Sequence, residues 1–418
     1  MAPPNALYAQ SGGVTAVINA SACGVIETAR RHPRRIGRML AARNGILGLL
    51  SESLVDTGSF ANDQLIGMRN TPGGIFGSCR FDLDEERDNP AQYDRIFEVL
   101  ATHRVGYLFY NGGNGSMRTA RQIAESALRR DYPLVVVGIP KTVDNDIVET
   151  DCCPGYGSAI KYLATSMREA SIDLASMSTR RGRVFVLEVM GRNAGWLAAG
   201  CGLAADREDA APHLVLLPEV TFDEARVLAA IKTCVARLGY CAIAVAEGVR
   251  SSDGKALAQV ATDPAGYVQL GGAGAFVAGR VASVLGYKVH HAIGDYLQRA
   301  ARHLVSATDD AQAHAVGVFS VEAALRGQSG VCCVIRRTSS TPYCWQVDSV
   351  PLADVADFER TLPPEYIRGD GLHVSEAFRA WAQPLITGEC LPAFRDGLPR
   401  YWQPRLVEMP RLLEPYTI

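Results

Sequence analysis

The sequence predicts an α/β protein in which helices surround largely parallel sheets, and three observations lead to that fold class. Short apolar runs alternate with longer segments of helical period, which is the pattern of β/α units. Glycine-rich turns follow several of the predicted strands. The chain has 418 residues, a length that suits roughly two to three compact domains.

The residues before Pro154 give a first set of β/α units. An apolar run that ends in a turn and precedes an amphipathic segment occurs twice, and a third run ends at Pro140. Because these units suffice for one sheet, we expect a change of domain near Pro154. The pattern predicts strands over residues 6–10, 105–110 and 134–139, and helices over residues 14–31 and 117–129.

The residues after Pro154 give a second set of units. From about residue 339 onwards prolines and aromatic residues interrupt the periodicity, so the C-terminal part is predicted to be irregular. In the second set we predict strands over residues 184–190, 213–217 and 241–246, and helices over residues 159–177, 194–203, 224–238 and 275–285.

Composition excludes several classes of protein. The 42 Lys and Arg against 44 Asp and Glu leave a net charge of −2, so no basic field indicates a nucleic acid or an anionic membrane as partner. We find no secretory leader and no apolar run long enough to span a membrane. The 11 cysteines are scattered, odd in number and without a C-x-x-C pair, which argues against a disulfide framework or a zinc site. That usage indicates a reducing, cytoplasmic location.

Three glycine-rich turns are candidates for binding phosphate. They are Ser11-Gly12-Gly13, Gly73-Gly74 and residues 112–116, and the first and third lie between a predicted strand and a helix. Open α/β sheets bind ligands at the carboxyl ends of their strands, and glycine lets backbone N–H groups approach an anion. One such turn is usually only a turn, but three of them at strand ends predict a phosphate site.

A segment rich in reactive side chains follows the strand that ends at Pro140. Lys141, Thr142, Asp144 and Asp146 leave this strand end together. Phosphoryl transfer uses a cation against the developing charge, a carboxylate that accepts the proton of the attacking hydroxyl, and a further carboxylate for Mg²⁺. The alternative is a charged surface turn in which an acidic side chain caps a neighbouring element.

Six motifs, in the order in which they occur, resemble those of the phosphofructokinases, which phosphorylate the 1-hydroxyl of fructose 6-phosphate. The resemblance spans about residues 6 to 335. The motifs are Ser11-Gly12-Gly13, residues 112–116 (GGNGS), residues 140–146 (PKTVDND), Met190-Gly191-Arg192, Val245-Ala246-Glu247 and Leu297-Gln298-Arg299.

The resemblance implies two Rossmann-like three-layer α/β/α domains with largely parallel sheets and an active site in the cleft between them. Residues 1–155 plus about 298–325 would form the domain that binds the phosphoryl donor. Residues 156–297 plus about 326–418 would form the domain that binds the sugar phosphate.

The resemblance also implies roles for the matching residues. Asp144 would be the general base, with Lys141, Thr142 and Arg192 as further catalytic residues. Asn114 and Asp146 would hold Mg²⁺. The phosphoryl donor would contact Gly12, Gly13, Arg80, Gly113, Asn114, Gly115 and Ser116. Fructose 6-phosphate would contact Thr142, Asp144, Arg183, Met190, Gly191, Arg192, Glu247, Tyr296 and Arg299.

Arg183 carries an expectation about assembly. It precedes Arg192 at the spacing at which, in the family, an arginine reaches across a subunit interface. The resemblance therefore implies a homodimer or homotetramer whose active sites are shared between subunits.

Two positions disagree about the phosphoryl donor. Lys141 is typical of pyrophosphate-dependent members of the family, whereas Gly115 is typical of ATP-dependent members, because the pyrophosphate enzymes usually carry aspartate there. Asn114 also stands where aspartate is commoner, which removes a charge from the metal environment. An ammonium neutralises compact pyrophosphate without help from a nucleoside, so we favour pyrophosphate as donor in a reversible reaction of glycolysis and gluconeogenesis. ATP is the alternative donor.

Three other interpretations stay open. The GGNGS turn also resembles the turns of NAD kinases and lipid kinases, and residues 193–197 resemble an NAD kinase loop, but those families lack the PKTVDND and Met-Gly-Arg pairing. A dehydrogenase is disfavoured because Gly272-Ala273-Gly274 lacks the third glycine of a dinucleotide-binding turn. A non-catalytic subunit that senses sugar phosphates is the third, and the retention of Thr142, Asp144 and Asp146 argues against it.

Overall fold

The computed structural model describes residues 2–178, 182–262 and 268–417, and the chain divides into two compact units. The first unit comprises Met1–Gly155, Arg302–Glu359 and Gly388–Ile418. The second unit comprises Tyr156–Ala301 and Arg360–Thr387.

Strands and helices alternate through most of the chain. The strands are β1 (Asn5–Gln10), β2 (Met39–Ala42), β3 (Leu54–Asp56), β4 (Val105–Gly112), β5 (Val135–Pro140), β6 (Arg183–Val189), β7 (Leu214–Leu216), β8 (Tyr240–Ala246), β9 (Gln259–Thr262), β10 (Val268–Leu270), β11 (Lys288–Ile293), β12 (Val331–Ser340), β13 (Tyr343–Pro351), β14 (Phe394–Arg395) and β15 (Leu398–Pro399). The helices are α1 (Ile18–Arg30), α2 (Ile46–Leu50), α3 (Asn62–Arg69), α4 (Pro90–Thr102), α5 (Asn114–Arg129), α6 (Tyr156–Ser176), α7 (Trp196–Cys201), α8 (Glu224–Leu238), α9 (Ala273–Arg280), α10 (Asp295–Ala300), α11 (Ala307–Leu325) and α12 (Glu376–Ala382).

The first unit is built on a sheet with the strand order β13-β12-β5-β4-β1-β2-β3. The strands from β12 to β2 are parallel to their neighbours, whereas the outer strands β3 and β13 are antiparallel. From β1 the chain goes on to β2 on one side, and from β4 it goes on to β5 on the other side. The strand order therefore reverses between β1 and β4, and such a switch point is where open α/β sheets bind ligands.

Helices pack against this sheet in two apolar groups. α1 contacts α11 so closely that a Cβ atom on Gly24 would lie 2.3 Å from the carbonyl oxygen of His314. α2, α4 and α5 join the sheet in one apolar cluster, in which Leu108 of β4 and Val136 of β5 are fully buried. Strands that are covered on both faces need near-continuous apolar sequences, and β4 and β5 have them.

The second unit contains a parallel sheet with the order β11-β6-β8-β7. β8 is buried from Cys241 to Ala246, in agreement with its continuous apolar sequence. α6, α7, α8 and α9 pack against these strands, and β9 and β10 form a separate antiparallel pair.

The prediction of an α/β fold with largely parallel sheets is confirmed, and the strands predicted over residues 6–10, 105–110 and 134–139 correspond to β1, β4 and β5. The prediction that the chain is irregular from about residue 339 is wrong up to Pro351, whereas beyond it the described chain has one helix, short turns and the two-residue strands β14 and β15. β12 continues to Ser340 and forms an antiparallel hairpin with β13, and α12 follows later. Pro342 lies in the turn of this hairpin and does not interrupt either strand.

The hairpin also changes the expected assignment of the C-terminal part. Residues 326–359 and 388–418 lie in the first unit, whereas we expected them in the sugar-phosphate domain. The physical reason is pairing with the first sheet: β12 adds to β5, and the Met409 N–H donates to the Leu54 carbonyl oxygen at 2.8 Å. No helix in the described parts of the chain combines the length and the apolar character needed to cross a membrane.

Candidate active site

The turn after β1 lies at the switch point of the first sheet and is tied to both neighbouring segments. The Ser11 N–H donates to the Asn111 carbonyl oxygen at the end of β4, at 2.9 Å. The Gly12 N–H donates to the Cys79 carbonyl oxygen at 2.8 Å, and the Ser78 hydroxyl donates back to the Gly12 carbonyl oxygen at 2.7 Å. Gly12 has a φ of +77°, which favours glycine. The first and third predicted turns therefore meet.

The second glycine turn packs onto the end of β1. A Cβ atom on Gly74 would lie 2.0 Å from Nε2 of Gln10, so a larger residue there would displace this amide group. That same Nε2 donates to the Gly77 carbonyl oxygen at 2.7 Å. The loop then passes Cys79 beside the first turn, and Arg80 follows as an exposed side chain. An exposed guanidinium is thereby placed next to the glycine turns.

Lys141 brings a positive charge beneath the first turn. Its side chain is only 3% exposed, and the ammonium donates to the carbonyl oxygens of Ser11, at 2.9 Å, and of Gly13. The Lys141 N–H donates to the Gly112 carbonyl oxygen at 3.0 Å, which joins the ends of β4 and β5. A buried ammonium at this place favours an anionic ligand in the turn.

The GGNGS segment forms the start of α5. A Cβ atom on Gly112 would lie 1.9 Å from Oγ of Ser116, so the hydroxyl of Ser116 fills the space that glycine leaves. Gly113 precedes the first residue of α5, where backbone N–H groups lack partners within the helix. The N-terminus of α5 therefore offers N–H donors to a phosphate.

Asn114 and Asp146 form the candidate magnesium site. The Nδ2 group of Asn114 donates to Oδ2 of Asp146 at 3.1 Å. Oδ1 of Asn114 is buried and has no hydrogen-bond partner among the residues that the structure describes. A buried amide oxygen next to a carboxylate is the kind of hard oxygen pair that Mg²⁺ prefers, so the donor set fits this ion.

Thr142 and Asp144 lie in the loop that follows β5. The Asp144 N–H donates to Oγ1 of Thr142 at 3.0 Å, and the side chain of Asp144 is half-buried. Asn145 follows with a φ of +54°, and its Oδ1 accepts from the Cys153 N–H at 2.9 Å. The Gly155 N–H donates to Oδ1 of Asp309 at 2.8 Å. The loop is thus fixed at several points.

The β12–β13 hairpin holds the far part of this loop. The Ile335 N–H donates to Oγ1 of Thr150 at 2.9 Å, and the Asp151 N–H donates to the Ile335 carbonyl oxygen at 2.8 Å. Arg337 forms an ion pair with Asp151 at 3.1 Å, in which both side chains are 12% exposed, and stacks on the ring of Tyr343. Sequence reasoning gave no role to these C-terminal residues.

Asp82 is a second residue that sequence reasoning missed. A Cβ atom on Gly115 would lie 3.3 Å from Oδ1 of Asp82, so this carboxylate covers the backbone where the glycine has no side chain. Burial raises the pKa of the Cys79 thiol, and the nearby Asp82 carboxylate adds to that shift. A negative charge therefore lies at the entrance to α5, contributed by another segment of the chain.

In the second unit, three neighbouring parallel strands end with the residues predicted to bind the sugar. Met190-Gly191-Arg192 follows β6, and Glu247 follows β8. The Glu247 N–H donates to the Val189 carbonyl oxygen at 2.9 Å, and a Cβ atom on Gly248 would lie 1.9 Å from the Arg192 carbonyl oxygen. These two loops are therefore in contact at the carboxyl edge of the sheet.

Glu247 is in an unusual environment for a carboxyl group. Burial raises its pKa, while a hydrogen bond from the Gly191 N–H and the charge of Arg192 oppose that rise. The carboxylates of Glu188 and Asp295 add to the rise. The effects of burial and of the acidic neighbours on the pKa are larger than the opposing ones, so Glu247 holds its proton to a higher pH than an ordinary glutamate.

Tyr296 and Arg299 follow β11, which is the next strand of the same sheet. The Gly294 N–H donates to the Glu188 carbonyl oxygen at 2.8 Å, so the start of α10 lies beside the end of β6. The guanidinium of Arg299 stacks on the ring of Tyr296 at 4.1 Å, and Tyr296 is 64% exposed.

Arg183 is the one predicted sugar-site residue that the structure places apart from the others of its unit. It begins β6, whereas Met190 follows the end of that strand. At about 3.3 Å per residue, the strand separates the two positions by roughly 20 Å. Arg183 therefore lies toward the opposite edge of the sheet.

Comparison with known proteins identifies the family. The model of the family described as Phosphofructokinase matches residues 5–324. This chain belongs to the phosphofructokinase family. A pyrophosphate--fructose 6-phosphate 1-phosphotransferase of Methylococcus capsulatus is 50% identical over 402 residues, and one of Halomonas elongata is 50% identical over 401 residues, with 96% of each chain covered in both cases. The crystal structure of a pyrophosphate-dependent phosphofructokinase from Nitrosospira multiformis matches with a TM-score of 0.92 and 46% identity over 100% of both chains.

The family resemblance inferred from six motifs is thus confirmed. The described geometry gives two groups of residues: those predicted to bind phosphate lie at the switch point of the first sheet, and most of those predicted to bind the sugar lie at the carboxyl edge of the second. The turn Gly272-Ala273-Gly274, which we considered as a dinucleotide-binding turn, has a structural role instead. The buried carboxylate of Glu188 accepts from the N–H groups of Gly272 and Gly274, both at 2.8 Å, so this turn is anchored to the protein.

Proposed function

We propose that this protein transfers a phosphoryl group from pyrophosphate to the 1-hydroxyl of fructose 6-phosphate, which gives fructose 1,6-bisphosphate and phosphate. The observation that carries the proposal is the meeting of the Ser11–Gly13 turn, the GGNGS turn and the Lys141 ammonium at one switch point. Relatives that cover nearly the whole chain bear the name of this reaction, which supports pyrophosphate as donor.

On the donor side, the backbone N–H groups of Gly13 and of the start of α5 bind phosphate oxygens, and Lys141 and Arg80 neutralise their charge. Gly12 shapes the turn, because its own N–H is bonded to the Cys79 carbonyl oxygen. Asn114 and Asp146 hold Mg²⁺, which offsets phosphate charge when it is bound. Asp144 accepts the proton of the attacking 1-hydroxyl, and Thr142 contacts the transferring group.

On the sugar side, the carboxylate of Glu247 accepts hydrogen bonds from sugar hydroxyls while Met190 and Gly191 shape the loop around it. Arg192 and Arg299 bind substrate through their guanidinium groups, which match phosphate oxygens in a fork geometry. Arg183, remote from Met190 along β6, serves the site of a neighbouring subunit in a homodimer or homotetramer of a cytoplasmic enzyme.

Lys141 indicates pyrophosphate as donor and Gly115 indicates ATP, and Asp82 explains why the chain can use pyrophosphate although it carries Gly115. With its carboxylate over Gly115, a donor longer than pyrophosphate brings its next phosphate against a negative charge. Gly115 therefore does not open the site to a nucleotide, because a carboxylate from another loop occupies the space above it.

A coupled assay of fructose 1,6-bisphosphate formation tests the proposal, with fructose 6-phosphate and Mg²⁺ and with either pyrophosphate or ATP as donor. We expect turnover with pyrophosphate. Turnover with ATP alone would establish the ATP-dependent alternative, and no turnover with either donor would reject the proposed reaction.

The role of Asp82 is tested separately by Asp82→Asn. We expect this variant to raise the ratio of ATP to pyrophosphate turnover by roughly tenfold, the effect of about 1.4 kcal/mol of relieved repulsion. Asp84→Asn changes an exposed carboxylate of the same loop and is the matched control. An unchanged ratio in an active Asp82→Asn enzyme would reject the role of Asp82 and leave the reaction intact.

A further inference from the structure

His213, Cys234 and Cys241 form a cluster in the second unit that the proposed reaction does not use. One ligand-type atom from each residue lies within 4.8 Å of the other two. His213 precedes β7, Cys234 lies near the end of α8, and Cys241 is the second residue of β8. The sequence analysis did not predict this cluster, because its residues form no C-x-x-C pair or other metal-ligand spacing.

The hydrogen bonding of His213 indicates whether the cluster is suited to binding a metal ion or to stabilising a thiolate. The Ala242 N–H donates to Nδ1 of His213 at 2.9 Å, so Nδ1 uses its lone pair and Nε2 carries the proton of the neutral ring. Nε2 is buried without a hydrogen-bond partner among the residues described. A nitrogen that carries a proton is not available as a metal ligand, whereas it stabilises a nearby thiolate.

The two thiols are not equivalent. The Cys241 thiol, as hydrogen-bond donor, together with the neighbouring His213 ring and Arg237, lowers the pKa of the Cys234 thiol despite its burial. Burial and the Cys234 neighbour raise the pKa of Cys241 well above its usual range. Cys234 and His213 also line a cleft of about 850 Å³, whereas Cys241 is fully buried. Cys234 is thus buried at the wall of the cleft with 8% of its surface exposed, and Cys241 lies behind it with none.

We propose that Cys234 and Cys241 form a reversible dithiol–disulfide pair that reacts with low-molecular-weight disulfides, with Cys234 as the attacking thiolate. The Cys234 sulfur attacks one sulfur of the external disulfide, which forms a mixed disulfide and releases one thiolate. Cys241 then gives its proton to that thiolate and attacks the Cys234 sulfur. The second external thiolate leaves, and the two protein thiols have supplied the two electrons that reduce the external disulfide.

This pair is independent of phosphoryl transfer. None of the residues assigned to the donor or to the sugar lines the cleft that Cys234 faces. The results of the assays with pyrophosphate and ATP therefore do not test the thiol pair, and each of the two proposals can be rejected without the other.

The first test is the pH dependence of alkylation of the wild-type protein by iodoacetamide, measured at each cysteine by mass spectrometry. A thiol with an ordinary pKa of about 8.5 gains roughly 75-fold in thiolate between pH 6 and pH 8. We expect the rate at Cys234 to change by less than roughly threefold over this range. The slope of the profile does not depend on access, so the burial of Cys234 does not obscure it. Cys344, which is exposed, serves as the internal reference.

The second test is incubation with glutathione disulfide followed by peptide mapping. The wild type should form the disulfide between Cys234 and Cys241. Cys241→Ser should stop at glutathione attached to Cys234, and Cys234→Ser should leave Cys241 unmodified. A steep pH profile at Cys234, or glutathione on Cys241 in Cys234→Ser, would overturn the proposal. Stoichiometric binding of Zn²⁺ that is lost in Cys234→Ser would also overturn it, in favour of a metal site.

Discussion

Replacing Asn114 with aspartate turns a hydrogen bond of the candidate magnesium site into a repulsion. In the wild type, Nδ2 of Asn114 donates to Oδ2 of Asp146 at 3.1 Å. Two unit charges at this separation repel by about 5 kcal/mol at an effective dielectric constant of about 20, and by about 1 kcal/mol in bulk water. Asp146 is half-buried, so we expect Asn114→Asp to lose about 2 kcal/mol of stability. For a unit of this size that corresponds to a fall of about 4–8 °C in Tm.

Thermal unfolding in EDTA and in Mg²⁺ measures this effect. Mg²⁺ should restore the Tm of Asn114→Asp, because a cation between two carboxylates removes their repulsion, and should support turnover at lower concentrations than in the wild type. Asn114→Ala is the matched control, since it loses the same hydrogen bond without adding a charge. An Asn114→Asp variant that melts like the wild type in EDTA, or that responds to Mg²⁺ no more than Asn114→Ala, would refute the assignment of this pair.

Three further predictions concern catalysis and assembly. Asp144→Asn should lower kcat by roughly 10²–10⁴ and leave the KM for fructose 6-phosphate nearly unchanged, and more than a tenth of wild-type kcat would exclude Asp144 as general base. The pKa of Glu247 is raised, and its carboxylate is a stronger hydrogen-bond acceptor than the protonated carboxyl group. The KM for fructose 6-phosphate should therefore rise as the pH falls, starting above the ordinary range of carboxyl groups. Glu247→Gln should remove this pH dependence, and a profile that the variant shares would count against the role of Glu247. Arg183→Met and Asp144→Asn chains should each be inactive alone and should regain activity when they are co-expressed. The reason is that a shared site can take Arg183 from one subunit and Asp144 from the other. If activity does not return, Arg183 does not serve the neighbouring site.

The sequence predicted best those parts of the molecule whose signals are local. β4 and β5 are apolar runs that end in glycine and proline, and β1 is followed by the Ser11–Gly13 turn, so these signals are visible within a few residues. The reactive residues after β5 could be related to the glycine turns, because parallel strands deliver their carboxyl ends to one edge. The hairpin of β12 and β13 was missed because its prolines were interpreted as interruptions, although residues 343–351 alternate between exposed and half-buried side chains.

Residues that act from another loop could not be predicted in this way. Asp82 follows Arg80 in a polar stretch without periodicity, and only the folded loop brings its carboxylate to Gly115. Cys234 and Cys241 likewise meet only when α8 turns back into β8. Proximity of this kind depends on tertiary contacts, which no local pattern encodes.

The C-terminal hairpin shows why the phosphoryl-transfer loop depends on distant sequence. The loop from Lys141 to Gly155 joins the end of β5 to the second unit, and a long loop without outside contacts would not hold Asp144 in one place. Thr150 instead bonds Ile335, 185 residues later, and Asp151 pairs with Arg337 in a largely buried contact. Misplacing a catalytic group by about 1 Å can cost roughly a hundredfold in rate, so we expect these contacts to support catalysis by Asp144, the proposed general base. The hairpin would then hold this loop in place, a role of the C-terminal part that the sequence analysis did not predict.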